Sequence, residues 1–245
     1  MELADKSYWD GVWRAATPAP LNLDGARGYA NRRFDRLFSE VLHGEVLEVG
    51  CANSQWLGHL SERFRMVGLD YSEIGCAHAR ALAPLAEVEC ADLFDPPREL
   101  LGRFGSVFTL GVVEHFDEPR RAVEALARFL APEGTLLTVV PNLTGLIGFV
   151  EKRINRKVYD LHVPLGVKEL ADAHAGLHVG WADYFLATNF GVLNLNGVDN
   201  APGRERLIRG LSRLSKLVWA VERRTRPLPA TRAFSPYVAC VAQMP

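Results

Sequence analysis

The chain has 245 residues, 48% of them hydrophobic, and a formal net charge of -1. That length and apolar content suit one enlarged α/β domain with a sizeable core. The near-zero charge excludes a general nucleic-acid or acidic-membrane surface.

Four cysteines, Cys51, Cys76, Cys90 and Cys240, are far apart and form no C-x-x-C or Cys/His cluster. Free thiols are expected rather than disulfides or zinc ligands. The segment from Met1 to Lys6 is charged, with no apolar stretch behind it, and no run approaches the length of a bilayer span. A soluble cytoplasmic protein without membrane contact is expected.

Residues 1–25 crowd Tyr8, Trp9 and Trp13 ahead of Thr17-Pro18-Ala19-Pro20, and the prolines are expected to stop any helix. The segment reads either as a piece packed on the core or as a lid over a ligand. Residues 26–43 read as a helix. Tyr29, Phe34, Leu37, Phe38, Val41 and Leu42 recur at three- and four-residue steps, with Arg27, Arg32, Arg33 and Arg36 on the other face.

Alternation of strand and helix follows. Strand 1 is Glu45–Val49, a helix starts near Asn53 with Asn53 or Ser54 as its cap, and strand 2 is Met66–Leu69. A helix from Ser72 to about Leu82 leads to strand 3, Ala86–Cys90. Strand 4 is Ser106–Leu110, Asp117 is expected to cap a helix from Glu118 to about Leu130, and strand 5 is Thr135–Val140. Such an order predicts a doubly wound, mostly parallel sheet with helices on both faces. Right-handed crossovers then carry the strand-end acids Glu48, Asp70, Asp92 and Glu114 to one edge.

The pattern breaks after Asn142. Residues 143–176 hold an apolar run, a basic patch (Lys152, Arg153, Arg156, Lys157) and His162; Lys168–His174 reads as a short helix. Strand 6 is Leu177–Leu186 and strand 7 is Tyr237–Ala242. Between them lie a loop with Asn189, Asn194, Asn196 and Gly197, then a helix from Arg204 to Arg224 with Leu207, Ile208, Leu211, Leu214, Leu217, Val218 and Val221 as its apolar stripe.

The turn Val49-Gly50-Cys51-Ala52-Asn53-Ser54-Gln55 carries one glycine where a dinucleotide loop needs three. No P-loop, no G-x-S-x-G elbow and no H-E-x-x-H spacing occurs, so neither a pyrophosphate nor a protein-bound metal is expected. A smaller nucleoside with a charged tail fits better.

Five segments in order carry a resemblance: Leu47-Glu48-Val49-Gly50-Cys51-Ala52-Asn53-Ser54, Gly68-Leu69-Asp70-Tyr71-Ser72, Cys90-Ala91-Asp92-Leu93-Phe94, Gly111-Val112-Val113-Glu114-His115-Phe116 and Leu130-Ala131-Pro132-Glu133-Gly134-Thr135. Together they resemble the class I S-adenosylmethionine-dependent methyltransferases of the small-molecule, type 11/12-like kind. The family turn usually carries more glycine; Ala52 and Ser54 stand where it is commonest. The resemblance implies a seven-stranded Rossmann-like sheet, S-adenosylmethionine as cofactor and S-adenosylhomocysteine as product. It implies that Glu48 and Gly50 line the methionine tail, with Cys51 and Asn53 in the same turn. Asp70 would accept from both ribose hydroxyls, Tyr71 would pack beside the adenine, and Asp92 would accept from its amino group with Leu93 alongside. Gly111 and Val112 would close the pocket near the sulfur.

On this reading residues 1–43 are an N-terminal helical and lid segment, and 44–141 the cofactor-binding core. Residues 142–176 are a substrate-covering insertion, and 177–245 the rest of the sheet with an inserted helix. Methyl transfer from a sulfonium needs a base only if the acceptor keeps its proton. His162 and His115 are the candidate bases, His115 having turn packing or the fixing of Glu114 as its other role; His174 and His178 are expected to be structural or solvent-facing. Tyr8, Trp9, Trp13, Asn142, Tyr159 and Tyr184 are expected to wall a small-molecule methyl acceptor, helped by Phe149, Phe185, Asn189 and Asn194. A monomer or homodimer is expected. Two other classes stay open: a nucleic-acid methyltransferase, for which the basic patches argue, and a non-catalytic domain that binds the cofactor or a partner.

Overall fold

The computed structural model of the chain describes residues 2–25, 28–193 and 202–245, the last stretch without the side chains of 202–205, 207 and 208. The expectations placed on Arg27, Asn194, Asn196 and Gly197, and on the side chains of Leu207 and Ile208, lie outside the described residues.

Among the described residues seven strands form one sheet: β1 (Val46–Val49), β2 (Met66–Asp70), β3 (Glu87–Cys90), β4 (Phe104–Leu110), β5 (Leu130–Pro141), β6 (His178–Phe185) and β7 (Tyr237–Gln243). Their order is β3-β2-β1-β4-β5-β7-β6. The first five are parallel, and β7 runs antiparallel between β5 and β6. The connection reverses direction between β1 and β4, which opens a crevice at their carboxyl ends.

Period-two alternation divides the core cleanly. Val46, Met66, Phe108, Leu137 and Val139 face one side of the sheet, and Leu47, Val49, Val67, Val107, Leu136 and Val140 face the other. The first side is covered by α2 (Tyr29–Val41), α3 (Trp56–Leu60) and α4 (Glu73–Leu82); the second by α5 (Pro119–Ala127) and, further along the chain, the short helix Val167–Ala173. Phe34 and Phe38 anchor α2. The Phe38 ring lies 4.8 Å from Trp56 and 4.9 Å from Phe108, and Phe34 lies 4.8 Å from Phe185. Each such burial contributes about 1.5–3 kcal/mol, so α2 belongs to the core.

Gly68 lets α3 approach β2. A methyl there would stand 2.7 Å from the Cys51 sulfur and 2.9 Å from Leu57 Cδ2. The close packing that a glycine at position 55 would serve is thus supplied from the strand side. Gly68→Ala is expected to lower stability by roughly 1–3 kcal/mol, read as a lower urea midpoint; an unchanged midpoint would mean that α3 can lift without cost.

Several expectations are corrected. The N-terminal segment holds α1 (Lys6–Ala15), because Pro18 and Pro20 lie beyond its end and Asp5 caps it by accepting from the Tyr8 amide. The N-cap of α5 is Glu118, not Asp117, with Pro119 as the first helical residue, whose fixed φ starts the helix. Leu130 belongs to β5 rather than α5. The segment after Asn142 is helical in α6 (Leu146–Ile154), α7 (Arg156–Tyr159) and α8 (Val167–Ala173). Among the described side chains of α9 (Pro202–Glu222), Ser215, Trp219 and Glu222 are buried, while Leu214, Leu217 and Val221 are exposed. Trp219 sets that rotation: it stacks on Tyr29 and donates to the Thr188 carbonyl. Among the described residues no helix is long and apolar enough to cross a membrane.

Candidate active site

A cavity of about 510 Å³ opens at the carboxyl ends of β1, β2, β3 and β4. Its floor is the turn after β1. Gly50 has φ +80°, and a Cβ there would lie 2.5 Å from Val112 Cγ2, so only glycine lets the β1 and β4 turns close on each other. The Gly50 and Cys51 amides both donate to the Leu69 carbonyl, and the Ala52 amide donates to Asp70 Oδ2 at 3.1 Å. Asp70 Oδ1 accepts from the Ser72 amide at 2.8 Å. The turn is therefore tied to the end of β2 before any ligand arrives.

Ser54 does two things. Its hydroxyl accepts from the Trp56 and Leu57 amides at the start of α3, whose N-cap is Gln55 rather than the expected Asn53 or Ser54, and donates to Glu48 Oε1 at 2.6 Å. Glu48 is 2% exposed, and its Oε2 has no hydrogen-bond partner among the described residues. Burial pushes its carboxyl up to about 8, with the Ser54 hydroxyl opposing and the Asp70 charge adding. Asn53, at φ +53°, likewise leaves its buried Oδ1 without a partner. Two unpaired buried oxygens beside a cavity cost free energy that a donor or cation would recover.

Asp70 is also raised by burial, the Ser72, Ala52 and Tyr71 amides pulling the other way. Asp92 is exposed, and its Oδ1 accepts from the Phe94 amide. Leu93, Phe94 and Tyr71 form the wall beside it. Gly111, at φ +76°, and Val112 form the opposite wall.

The N-terminal segment covers this cavity. Trp9 and Trp13 of α1 stack at 5.5 Å and line it together with Glu2. Glu2 accepts from the Tyr71 hydroxyl, Asp10 from the Ser72 hydroxyl, and the Leu3 amide donates to the His115 carbonyl.

His115 stands at the same end. It is 6% exposed, and its ring is 5.0 Å from Trp9 and 4.4 Å from His162. Its Nδ1 lies 2.8 Å from the Leu161 carbonyl, and His162 Nδ1 lies 2.7 Å from the Val158 carbonyl. A carbonyl only accepts, so each Nδ1 carries the hydrogen and each Nε2 keeps its lone pair. Burial, then the neighbouring His162, holds the His115 imidazole down at about 3. Burial lowers His162 too.

Of the sequence-predicted site residues, Glu48, Gly50, Asn53, Asp70, Tyr71, Asp92, Leu93, Gly111, Val112, His115, Trp9 and Trp13 line the one cavity. Cys51 does not; its sulfur is buried against the Gly68 backbone. Tyr8 sits behind Trp9, edge to face at 5.2 Å. His162 sits behind His115. Asn142 is wholly buried and pins the loop before β7, donating to the Arg232 and Ser235 carbonyls. Tyr159 packs under Lys152, and Phe149 under Arg153. Tyr184 and Phe185 line a separate groove between α2, β6 and the end of α9. Asn189 caps a short turn by accepting from the Gly191 amide. His174 is buried with both ring nitrogens engaged, by the Leu170 carbonyl and the Thr138 hydroxyl, and His178 is exposed.

Sequence reasoning missed Glu2, Gln55, Trp56, Phe116, Glu118 and Arg121 on the cavity wall. Nothing local marks Glu2 or Arg121; the first arrives with the lid and the second, stacked on Phe94, with α5.

A family model described as "Methyltransferase domain" matches residues 47–138. A protein of Mycolicibacterium smegmatis named as a probable S-adenosylmethionine-dependent methyltransferase is 29% identical over 140 residues, covering 52% of this chain and 54% of that protein. One of Mycobacterium tuberculosis with the same description is 31% identical over 140 residues, covering 52% and 51%. The chain thus spans about half the length of the curated relatives it matches. Among solved structures, the methyltransferase in a complex with the Haloferax volcanii Trm112 methyltransferase activator superposes with a TM-score of 0.60 at 18% identity, over 99% of this chain and 98% of that one.

Proposed function

We propose that this chain, whose residues 47–138 form a class I S-adenosylmethionine-dependent methyltransferase domain, transfers a methyl group to an oxygen, nitrogen or carbon nucleophile of a small metabolite. The cofactor of the domain is S-adenosylmethionine. The observation that carries the reading is the meeting of Glu48, Asp70 and Asp92, from three adjacent strand ends, on one lidded cavity.

The residues fit the cofactor. The unpaired Glu48 Oε2 and Asn53 Oδ1 suit an ammonium-bearing tail, and Gly50 lets Val112 close against the turn that carries them. Asp70 has lone pairs left after its two backbone bonds and would hold the ribose. Asp92, with Tyr71 and Leu93, would hold the adenine. When bound, the sulfonium supplies an electrophilic methyl in line with an acceptor nucleophile. Trp9 and Trp13 exclude water from that end and give the acceptor flat apolar walls. We place acceptor activation at the same end, where His115 stands on the wall with His162 behind it.

A small acceptor is favoured over nucleic acid because three of the four cations in the 152–157 patch are locally engaged. Arg153 stacks on Phe149, Lys152 lies over Tyr159, and Arg156 pairs with Asp160. A cytoplasmic, reducing setting agrees with the free thiols Cys51, Cys76, Cys90 and Cys240.

Incubating the chain with methyl-labelled cofactor and a fractionated metabolite extract is expected to label a small, protease- and nuclease-resistant product. Because the Haloferax methyltransferase is paired with an activator protein, the assay is run with and without the protein fraction of the extract. Label found only in RNA, DNA or protein would overturn the small-acceptor reading; no label in any fraction would overturn turnover itself.

A further inference from the structure

Three side chains beside the cavity are left in an arrangement that nothing in cofactor binding uses. Glu114 is 1% exposed, and its Oε2 has no hydrogen-bond partner among the described residues. His115 and His162 both turn Nε2 lone pairs away from the backbone carbonyls that hold their Nδ1 hydrogens. His115 Nε2 and Glu114 Oε1 are 4.0 Å apart, beyond hydrogen-bonding distance, so the two groups do not satisfy each other. One atom from each of the three residues lies within 4.8 Å of the others.

We propose that Glu114, His115 and His162 form a binding site for a divalent first-row transition cation. One possible ligand atom from each residue lies within 4.8 Å of the other two, and a cation would satisfy all three at once. The ligand types, two imidazoles and one carboxylate, suit zinc, iron or cobalt. Each ring is already fixed by its Nδ1–H···O=C bond, the support that metal-bound histidines ordinarily have. Ligand atoms on a tetrahedral zinc stand about 3.3 Å apart, so small side-chain rotations close the set around an ion. The backbone helps hold the carboxylate: Gly111 carries no side chain, and a Cβ there would lie 3.4 Å from Glu114 Oε1. The Val163 amide donates to the Glu114 carbonyl, which ties the segment bearing His162 to the turn bearing the other two ligands.

The spacing hides this site from a motif search. Glu114 and His115 are adjacent, and His162 arrives from a segment that follows β5. The expectation of no protein-bound metal rested on the absence of a local ligand motif; here the tertiary fold assembles the set. On the methyltransferase reading, which this clause alone rests on, the ion would sit at the acceptor end and favour an acceptor with an oxygen or nitrogen able to coordinate it.

The test uses the whole chain, stripped with a chelator and without S-adenosylmethionine, titrated with cobalt(II). One equivalent is expected to bind, with visible absorption of a low-coordinate cobalt centre that zinc(II) abolishes. His162→Ala is expected to weaken binding at least about tenfold with an unchanged circular dichroism spectrum, since His162 lies outside the core. Glu114→Gln, which removes an unpaired buried carboxylate, is expected to fold and to weaken binding likewise. No cobalt band in the parent chain, or equal binding by the parent and both variants, would overturn the site. Because no methyl donor is present, this outcome is independent of whether the chain transfers methyl groups.

Discussion

Asp70→Asn is expected to bind S-adenosylmethionine about a hundredfold or more weakly than the parent chain. Hydrogen bonds to a charged group are worth about 1.5–3 kcal/mol each, and two ribose hydroxyls converge on this carboxylate in the proposed complex. The substitution is also felt before ligand arrives. Asp70 accepts from both the Ser72 and Ala52 amides, and an asparagine can offer an oxygen to only one of them. The Gly50–Ser54 turn would lose one of its ties to β2, which adds to the loss of affinity. Calorimetry with both S-adenosylmethionine and S-adenosylhomocysteine measures it, and the two should weaken together because they share the ribose. Binding within about threefold of the parent, in a variant that folds normally, would remove Asp70 from the ribose role.

Glu48→Gln is expected to move stability and binding in opposite directions. The buried carboxyl titrates near 8 in the folded chain, against an ordinary value of 4.5. Between those values the unfolded chain has released its proton while the folded chain keeps it. Stability therefore falls as pH rises through that window, and the full penalty is present above about pH 8. Glutamine carries no such penalty. The variant should match the parent near pH 5 and exceed it by up to several kcal/mol near pH 9, by urea denaturation. Glu114 is raised by burial as well, so the variant keeps part of the slope. Binding should run the other way. An ammonium beside Glu48 draws the carboxyl into its charged form, so the parent is expected to release a proton on binding near neutral pH, seen by calorimetry in buffers of different ionisation enthalpy. The variant should release less and bind more weakly. Equal stability at high pH together with equal proton release would place the tail elsewhere.

These two expectations divide along what could be read before folding and what could not. The Glu48-to-Ser54 turn and the Asp70 and Asp92 strand ends were legible because a parallel sheet has local rules. Apolar runs of strand length, each followed by a turn and a helix, bring every strand's carboxyl end to one edge whatever the rest of the chain does. Gly50 was legible for the same reason, since a positive φ between strand and helix is a local demand. The expected acceptor wall was not. Asn142, Tyr159 and Tyr184 have the chemistry of a binding wall, but the structure spends Asn142 on the 232–235 loop and Tyr159 on Lys152, and turns Tyr184 toward another groove.

The sequence by itself determined the strand order's local ingredients, the sheet's two apolar faces and the acids at the strands' carboxyl ends, because these follow from period-two burial and short connections. Only the tertiary structure decided that α1 lies across the cavity, held by Tyr71, Ser72 and the His115 carbonyl. Only it decided that His162 stands 4.4 Å from His115, with one possible ligand atom of each and of Glu114 within 4.8 Å of one another. Those contacts join residues tens of positions apart, and their geometry depends on how surface helices dock on the sheet, for which no periodicity in the chain supplies a rule.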